Sequence, residues 1–262
     1  MAVRYMYNAA TKAGTASTTT VFYGNELPVS APGAVVSSLI VTLTGTSYDL
    51  SCTDRYGVKA AGEPIVDLTG NALRAFIERF SRANLAPATS GTAIVIPFYI
   101  PDGKGAERYA CGAPYGKSLQ LEITNDATST TTPLVQVGWS ISDQNATLQP
   151  RLIGQVANIG ASLTNARFNW DSQGGAVRGF GIVSAYMSRV KVVISNREEC
   201  NLSIAQLAAA QALEGARTIT TDYWHKVESP IVGAVGSTYL ELDTAGSHSA
   251  SDQFSYYAVL PQ

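Results

Sequence analysis

The spacing of apolar residues changes from a strand-like to a helix-like period once in each half of the chain. In the first half, four apolar residues recur at i, i+3, i+4 and i+7 between Leu73 and Phe80, and this pattern predicts a helix over Asn71–Ala83. In the second half, Ser203 and Gln206 have the spacing of a capping box and Gly215 follows as a stop, which predicts a helix over Leu202–Glu214.

Segments rich in β-branched and alternating apolar residues lie on both sides of each predicted helix. Before the helices, strands are predicted at Val35–Leu43, Thr46–Thr53 and Pro64–Leu68, and at Leu152–Asn158, Ser162–Trp170, Val177–Met187 and Val190–Ser195. After them, strands are predicted at Thr92–Ile100, Ser118–Thr124 and Leu134–Ile141, and at Thr221–Val227, Tyr239–Asp243 and Phe254–Leu260. The sequence Leu119-Gln120-Leu121-Glu122 also recurs, with one conservative and one amide-to-acid change, as Leu240-Glu241-Leu242-Asp243. The repeated order of elements indicates a duplicated β-domain.

About eight strands in each half, separated by turn-forming glycine and proline, favour an all-β protein of two tandem eight-stranded jelly rolls. A parallel α/β fold is disfavoured because two helices cannot cover both faces of a large parallel sheet. We expect an N-terminal arm at residues 1–17, a first jelly roll at 18–146 and a second at 147–262. The sequence leaves open whether the arm is disordered or becomes ordered against a neighbouring subunit.

Charged residues make up only 15% of the 262 residues, against roughly 25% in an average soluble domain. A weakly charged exterior indicates that other subunits cover much of the surface. The net charge of −2, with only Arg4 and Lys12 as basic residues in the arm, argues against direct binding of nucleic acid. The sequence shows neither a signal peptide nor an apolar stretch of membrane-spanning length, so we expect folding in the cytoplasm. Three cysteines without CxxC spacing, Cys52, Cys111 and Cys200, are expected to be free thiols there.

One segment approaches a known chemical motif. Gly112–Ser118 ends in Gly-Lys-Ser, as a phosphate-binding P-loop does, but Cys111 stands where the first glycine is required. The strand predicted at Ser118–Thr124 also replaces the helix whose N-terminus would face the phosphate. We interpret the segment as a hairpin loop.

The remaining candidate groups do not form a catalytic set. His225 and His248 have no ligand-spaced partner, and no serine-nucleophile motif is present. Acid pairs such as Glu198 with Glu199, or Glu26 with Asp49, could serve glycoside hydrolysis only if the fold brought them together. We therefore predict no catalytic, cofactor-binding or metal-binding residues and no enzyme activity.

The duplicated organisation, with one helix at Asn71–Ala83 and another at Leu202–Glu214, resembles the double jelly-roll major capsid proteins of tailless icosahedral viruses with an internal membrane, of the tectivirus and corticovirus type. The resemblance covers about residues 18–262 and rests on architecture rather than on a signature motif. It implies homotrimers that imitate hexagonal capsomers and tile the icosahedral shell of the virion, after assembly in the host cytoplasm. The implied partners are neighbouring capsomers, minor capsid and penton proteins, and an internal viral membrane reached by residues 1–17.

A carbohydrate- or receptor-binding spike or lectin-like protein is the alternative that the sequence leaves open. Aromatic side chains could provide a sugar-stacking surface, although aromatic residues at strand spacing more often belong to a core or an interface. The residues concerned are Tyr115, Trp139, Trp170, Tyr186, Trp224, Tyr256 and Tyr257.

Overall fold

A computed structural model of the chain describes residues 4–23, 35–44, 52–60, 62–80, 92–97, 119–126, 134–142, 148–156, 165–169, 176–184, 186–213, 222–232, 237–244 and 253–261. These ranges contain sixteen strands and two helices. The first half comprises β1 (Arg4–Ala13), β2 (Thr19–Tyr23), β3 (Val35–Thr44), β4 (Thr53–Ala60), β5 (Glu63–Leu68), α1 (Gly70–Phe80), β6 (Thr92–Pro97), β7 (Leu119–Asn125) and β8 (Leu134–Ser142). The second comprises β9 (Leu148–Val156), β10 (Asn165–Asn169), β11 (Ala176–Val183), β12 (Met187–Ile194), β13 (Arg197–Ser203), α2 (Ile204–Leu213), β14 (Asp222–Val232), β15 (Tyr239–Thr244) and β16 (Gln253–Pro261).

The two halves have the same strand order. In the first half, one sheet has the order β1-β8-β3-β6 and the other β2-β7-β4-β5. Replacing each strand by the one eight positions later gives the sheets of the second half, β9-β16-β11-β14 and β10-β15-β12-β13. Each half is an antiparallel jelly roll, and the predicted double jelly roll is confirmed.

The rolls share one eight-stranded sheet. In it, β5 of the first roll lies beside β9 of the second, with Val66 opposite Leu152 and Asp67 opposite Ile153. This pairing is parallel, whereas every other strand pairing among the described residues is antiparallel. The parallel contact therefore marks the place where one roll ends and the next begins.

Alternating side chains of the strands fill the core of each roll, and in the second roll they come from both of its sheets. In the first roll, Phe22 lies opposite Leu121 and Tyr56 opposite Ile123, and all four side chains are buried. In the second roll, the buried cluster includes Phe180, Ile182, Val190, Val192, Leu240, Leu242 and Phe254. Burying each such side chain contributes about 1.5–3 kcal/mol, so these alternating rows hold the sheets face to face.

Both helices are present, with different limits from those predicted. α1 begins at Gly70 after the cap residue Thr69, whose Oγ1 accepts a hydrogen bond from the Ala72 amide (3.3 Å). The prediction began α2 at Leu202, but Leu202 and Ser203 belong to β13. The reason is the capping box: Ser203 Oγ accepts from the Gln206 amide (3.4 Å), and Gln206 Oε1 accepts from the Ser203 amide (2.9 Å).

The sequence patterns placed β4 wrongly and missed β2 and β13. The prediction ended a strand at Thr53, whereas β4 begins there and runs through Gly57, which pairs with Glu122 inside the ladder. The strand β13 was missed because its charged side chains do not alternate with apolar ones. The residues predicted at 46–51 lie outside the described part of the chain.

Residues 4–13 are part of the first roll. Instead of a free arm over residues 1–17, β1 forms a ladder with β8 from Arg4 opposite Ser142 to Ala13 opposite Leu134. Backbone pairing along the whole strand outweighs the Ala- and Thr-rich composition that suggested an arm. The predicted boundary between residues 146 and 147 lies outside the described residues and stays a prediction.

Candidate subunit-contact surface

The contact between rolls within the chain is built by β5 and α1. The register of β4 and β5 passes from Val58 opposite Val66 to Lys59 opposite Pro64, so Ile65 is a bulge residue, and its side chain is 0% exposed. α1 follows β5 directly and contacts β4 and β5 of its own roll as well as β11 and β14 of the second. One helix thus packs against both rolls.

The burial of α1 reflects these contacts on more than one side. Leu73, Phe76 and Ile77 form its apolar face and are at most 1% exposed. Ala72 and Ala75 lie on an adjoining face and are 0% and 5% exposed. An isolated amphipathic helix would leave that adjoining face in water.

The segment β12–β13–α2 repeats β4–β5–α1 residue by residue. The register of β12 and β13 passes from Val192 opposite Cys200 to Val193 opposite Glu198, which makes Glu199 the counterpart of Ile65. The two hairpin turns also match, since Gly62 and Asn196 both adopt positive φ (87° and 64°). The cap residue follows the bulge residue by four positions in both segments: Thr69 caps α1 and Ser203 caps α2.

The repeated segment lies at the far side of the second roll and is open. β13 is an edge strand among the described residues, and the main contacts of α2 are with β12 and β13 of its own roll. Leu207, the counterpart of Leu73, is buried, whereas Leu213 at the end of α2 is 91% exposed. Three buried positions have exposed counterparts: Ile65, Ala72 and Ala75 correspond to Glu199, Gln206 and Ala209. We call the outer edge of β13 and the exposed face of α2 the β13–α2 surface.

An arginine cluster stands on the outer face of β4 in the first roll. Arg55 donates to both carboxylate oxygens of Asp67 on β5 (2.7 and 3.0 Å), and its Nη1 lies 3.6 Å from Glu122 Oε2 on β7. The hydrogen bond to Asp67 is the main reason why the pKa of Arg55 is raised. Lys59 Nζ completes the cluster, 2.8 Å from Glu122 Oε1.

The second roll carries the equivalent cluster on β12. Arg189, the counterpart of Arg55, donates to Asn201 Oδ1 (3.0 Å) on β13 and to Glu241 Oε1 (3.3 Å) on β15. It also binds Asp243, which accepts a second hydrogen bond from Asn165. Burial alone would raise the pKa of Asp243, but these two donors outweigh it and the pKa is lowered. Since Arg189 is partly exposed, its ion pairs add little to the stability of the fold.

One group of side chains has the composition of a catalytic relay. Cys200 Sγ lies 3.8 Å from Tyr223 Oη, which lies 3.2 Å from His225 Nδ1. Burial raises the pKa of Cys200, however, so the thiol stays protonated at neutral pH and is a poor nucleophile. Cys200 and Tyr223 belong to the buried cluster of the second roll, so we interpret the group as part of the core.

The other sequence candidates are not brought together by the described residues. Glu198 and Glu199 form surface ion pairs, with Lys191 (3.5 Å) and Arg197 (3.4 Å) respectively. The described aromatic positions are spread over two sheets and a turn. Gly112–Ser118, Cys111, His248, Glu26, Asp49, Tyr115 and Trp170 lie outside the described residues.

Within the described ranges, no group of three or more His, Cys, Asp or Glu side chains could hold a metal ion. Neither described helix has the length and apolar character needed to cross a membrane. Of the three cysteines, Cys52 and Cys200 are free thiols.

Comparison with known proteins identifies the fold. No protein-family model and no curated protein sequence matches the chain. Among solved structures, the major capsid protein P2 from bacteriophage PM2 superposes with a TM-score of 0.76 at 12% identity, covering 99% of this chain and 98% of that one. The major capsid protein of Sulfolobus turreted icosahedral virus (STIV) gives 0.68 at 11% identity, covering 99% and 97%. The quasi-atomic capsid model of the virus PBCV-1 gives 0.56 at 9% identity, covering 99% and 93%. At these identities the likeness establishes the double jelly-roll fold.

The β13–α2 surface was not among the sequence predictions. Its sequence signal is a shared pattern, a Thr or Ser cap followed four residues later by leucine, at Thr69 with Leu73 and at Ser203 with Leu207. That pattern locates the repeated segment but not its exposure. Exposure depends on which roll lies next to it, and this follows from the three-dimensional arrangement.

Proposed function

We propose that the chain is the structural subunit of an icosahedral virion shell, a major capsid protein. The observation that carries this proposal is the superposition of both rolls, over 99% of the chain, on the PM2 major capsid protein. A single jelly roll hosts many functions, so one roll alone would support little. Two rolls joined in the same arrangement over nearly the whole of both chains are a far narrower match.

The proposed capsomer is a homotrimer. Each chain contributes two similar rolls, so three chains can present six rolls in a ring with a pseudo-hexagonal outline. The β13–α2 surface supports this because it is a second copy, exposed in the single chain, of the segment that joins rolls inside the chain. A contact between this surface and a different surface of the next copy is head-to-tail, the kind that closes into rings.

Within this proposal the protein acts in the virion, as a structural component and not as an enzyme. Its partners are further copies in neighbouring capsomers, together with minor capsid and penton proteins. The start of β1 at Arg4, in place of a free arm, is the segment proposed to face an internal membrane. The net charge of −2 supports the absence of direct contacts with the genome. The superpositions over the whole chain do not favour the spike or lectin alternative.

Native mass spectrometry or sedimentation of the purified chain tests the proposal. We expect a stable species of about 83 kDa, three times the 27.6 kDa chain. A monomer at all concentrations that binds glycans would support the spike or lectin alternative and contradict the capsid proposal.

A further inference from the structure

We propose that the β13–α2 surface docks on the first roll of a second copy in the way that β5 and α1 dock on the second roll within one chain. The inference rests on the proposed trimer and specifies the faces and the strand register of its subunit contact. The occupant is a second copy because its first roll presents the counterpart of each strand that β5 and α1 contact: β1 for β9, β3 for β11 and β6 for β14.

The register of this contact follows from two bulges at equivalent places. The ladder between β3 and β8 shifts between Val36 and Ser38, and the ladder between β11 and β16 shifts between Val177 and Gly179. Aligning the bulges makes Ser140 on β8 the counterpart of Tyr257 on β16. The two sheets can therefore be compared residue by residue.

The same alignment carries over to the outer strands. Met6 on β1 lies opposite Ser140, and Leu152 on β9 lies opposite Tyr257, so Met6 is the counterpart of Leu152. One residue further on, Tyr7 is the counterpart of Ile153. β1 is an edge strand among the described residues, so its outer side has no strand beside it.

Transferring the internal contact to two copies gives a specific pairing. Within the chain, Val66 and Asp67 lie beside Leu152 and Ile153. Their counterparts place Cys200 beside Met6 of the second copy, and Asn201 beside Tyr7 of the second copy, in parallel strands. α2 then lies against β3 and β6 of the second copy, and the open edges of β13 and β1 are both covered.

The new contact is more polar than the internal one. Where the chain buries Ile65 on β5 and Ala72 on α1, the β13–α2 surface presents Glu199 and Gln206. Polar positions of this kind are typical of a contact that must be soluble before assembly. The same fold thus makes one permanent junction and one that can form after the chain has folded.

A pair of engineered cysteines tests the register. In Asn201→Cys with Tyr7→Cys, the two thiols come from neighbouring parallel strands about 4.8 Å apart, within the Cα separation that a disulfide bridges. We expect mild oxidation to produce covalent species of two and three chains that disappear on reduction. The matched control is Asp67→Cys with Ile153→Cys, which should oxidise within one chain and stay at 27.6 kDa. The unaltered chain, oxidised in the same way, controls for its own cysteines.

A second pair, Asn201→Cys with Tyr5→Cys, shifts the register by two residues and should cross-link far less. Equal cross-linking of the Tyr5 and Tyr7 pairs would overturn the proposed register. If the unaltered chain is a trimer and the internal control oxidises, but neither intermolecular pair does, the copies use another face and this inference is wrong while the trimer stands. A chain that is monomeric throughout contradicts the trimer itself, and this inference with it.

Discussion

The two helices occupy equivalent places in the two rolls but have different surroundings. α1 contacts strands of both rolls, and Ala75, on the face that adjoins its apolar face, is 5% exposed. α2 has its main contacts with its own roll, and Ala209, the counterpart of Ala75, is exposed. The difference arises because the second roll lies beyond α1, whereas among the described residues no roll lies beyond α2. The exposed face of α2 is therefore best understood as a contact that another copy completes.

The largest expected effect is a difference in stability between equivalent substitutions on α1 and α2. Ala75→Arg would force a charge into a buried face of α1, a helix that contacts both rolls, and should destabilise the chain by about 3–5 kcal/mol. Ala209→Arg at the equivalent position should change the stability of the single chain by no more than about 0.5 kcal/mol, yet it should prevent trimer formation. Urea denaturation and sedimentation of both variants measure the two effects. Equal destabilisation by both substitutions would contradict the different surroundings of the helices.

Exchanging the residue types of the two bulges, Ile65 and Glu199, tests the difference between the internal contact and the proposed one. Ile65→Glu introduces at β5 the residue that β13 carries, and burying its carboxylate should cost about 2–4 kcal/mol in unfolding free energy. Glu199→Ile should leave the single chain almost unchanged but strengthen association roughly tenfold or more, because it adds apolar area to the contact. Dilution series followed by sedimentation measure the association. The proposal for this face is wrong if Glu199→Ile leaves the dissociation midpoint unchanged.

The helix caps give a smaller, matched pair of effects. Ser203→Ala removes the Oγ that caps α2 and should reduce the unfolding free energy by about 1 kcal/mol. Thr69→Ala should reduce it by a similar or smaller amount, because tertiary contacts hold α1 on more than one side. Urea midpoints of the two variants provide the test. A clearly larger loss for Thr69→Ala would show that the cap, rather than packing, positions α1.

The smallest expected effect is the pH dependence that Asp243 contributes in the second roll. The pKa of Asp243 is lowered in the folded chain, so its contribution is fully present above the unfolded value of about 3.9 and is lost as the pH falls through the lower folded value. The register makes Thr124, which cannot titrate, its counterpart in the first roll. We expect Asp243→Asn to reduce the change in unfolding free energy between pH 7 and pH 3 by less than about 1 kcal/mol, as measured by urea denaturation, since the ion pair is partly exposed. An unchanged pH profile would show that Arg189 does not stabilise the ionised carboxylate.

The recurrence of strands around one helix in each half could be predicted from the sequence, but the register could not. The repeat of Leu119–Glu122 as Leu240–Asp243 identifies the equivalent strands β7 and β15. Strand pairing nevertheless makes Leu121 the counterpart of Leu240, because they lie opposite the equivalent residues Val58 and Val192. The sequence repeat is thus two residues out of register. A shift of two keeps every side chain on the same face, so the hydrophobic pattern cannot detect it.

The contact surface could not be predicted because its residues follow no core pattern. Arg197, Glu198 and Glu199 are charged and exposed. Because they do not alternate with apolar residues, the sequence pattern did not predict β13. The same three residues occupy the edge strand next to the proposed contact. A charged edge strand resists unspecific pairing with strands of other chains. The charges that prevented the prediction of β13 therefore also protect this edge from aggregation before assembly.

The central claim is that three chains close a ring of six rolls through repeated junctions of one kind. Electron cryo-microscopy of the purified 83 kDa species tests it most directly, since the mass corresponds to three 27.6 kDa chains. We expect a threefold particle with a six-cornered outline, in which β13 of each chain lies beside β1 of the next. Isolated two-lobed chains, or a dimer related by a twofold axis, would contradict the claim.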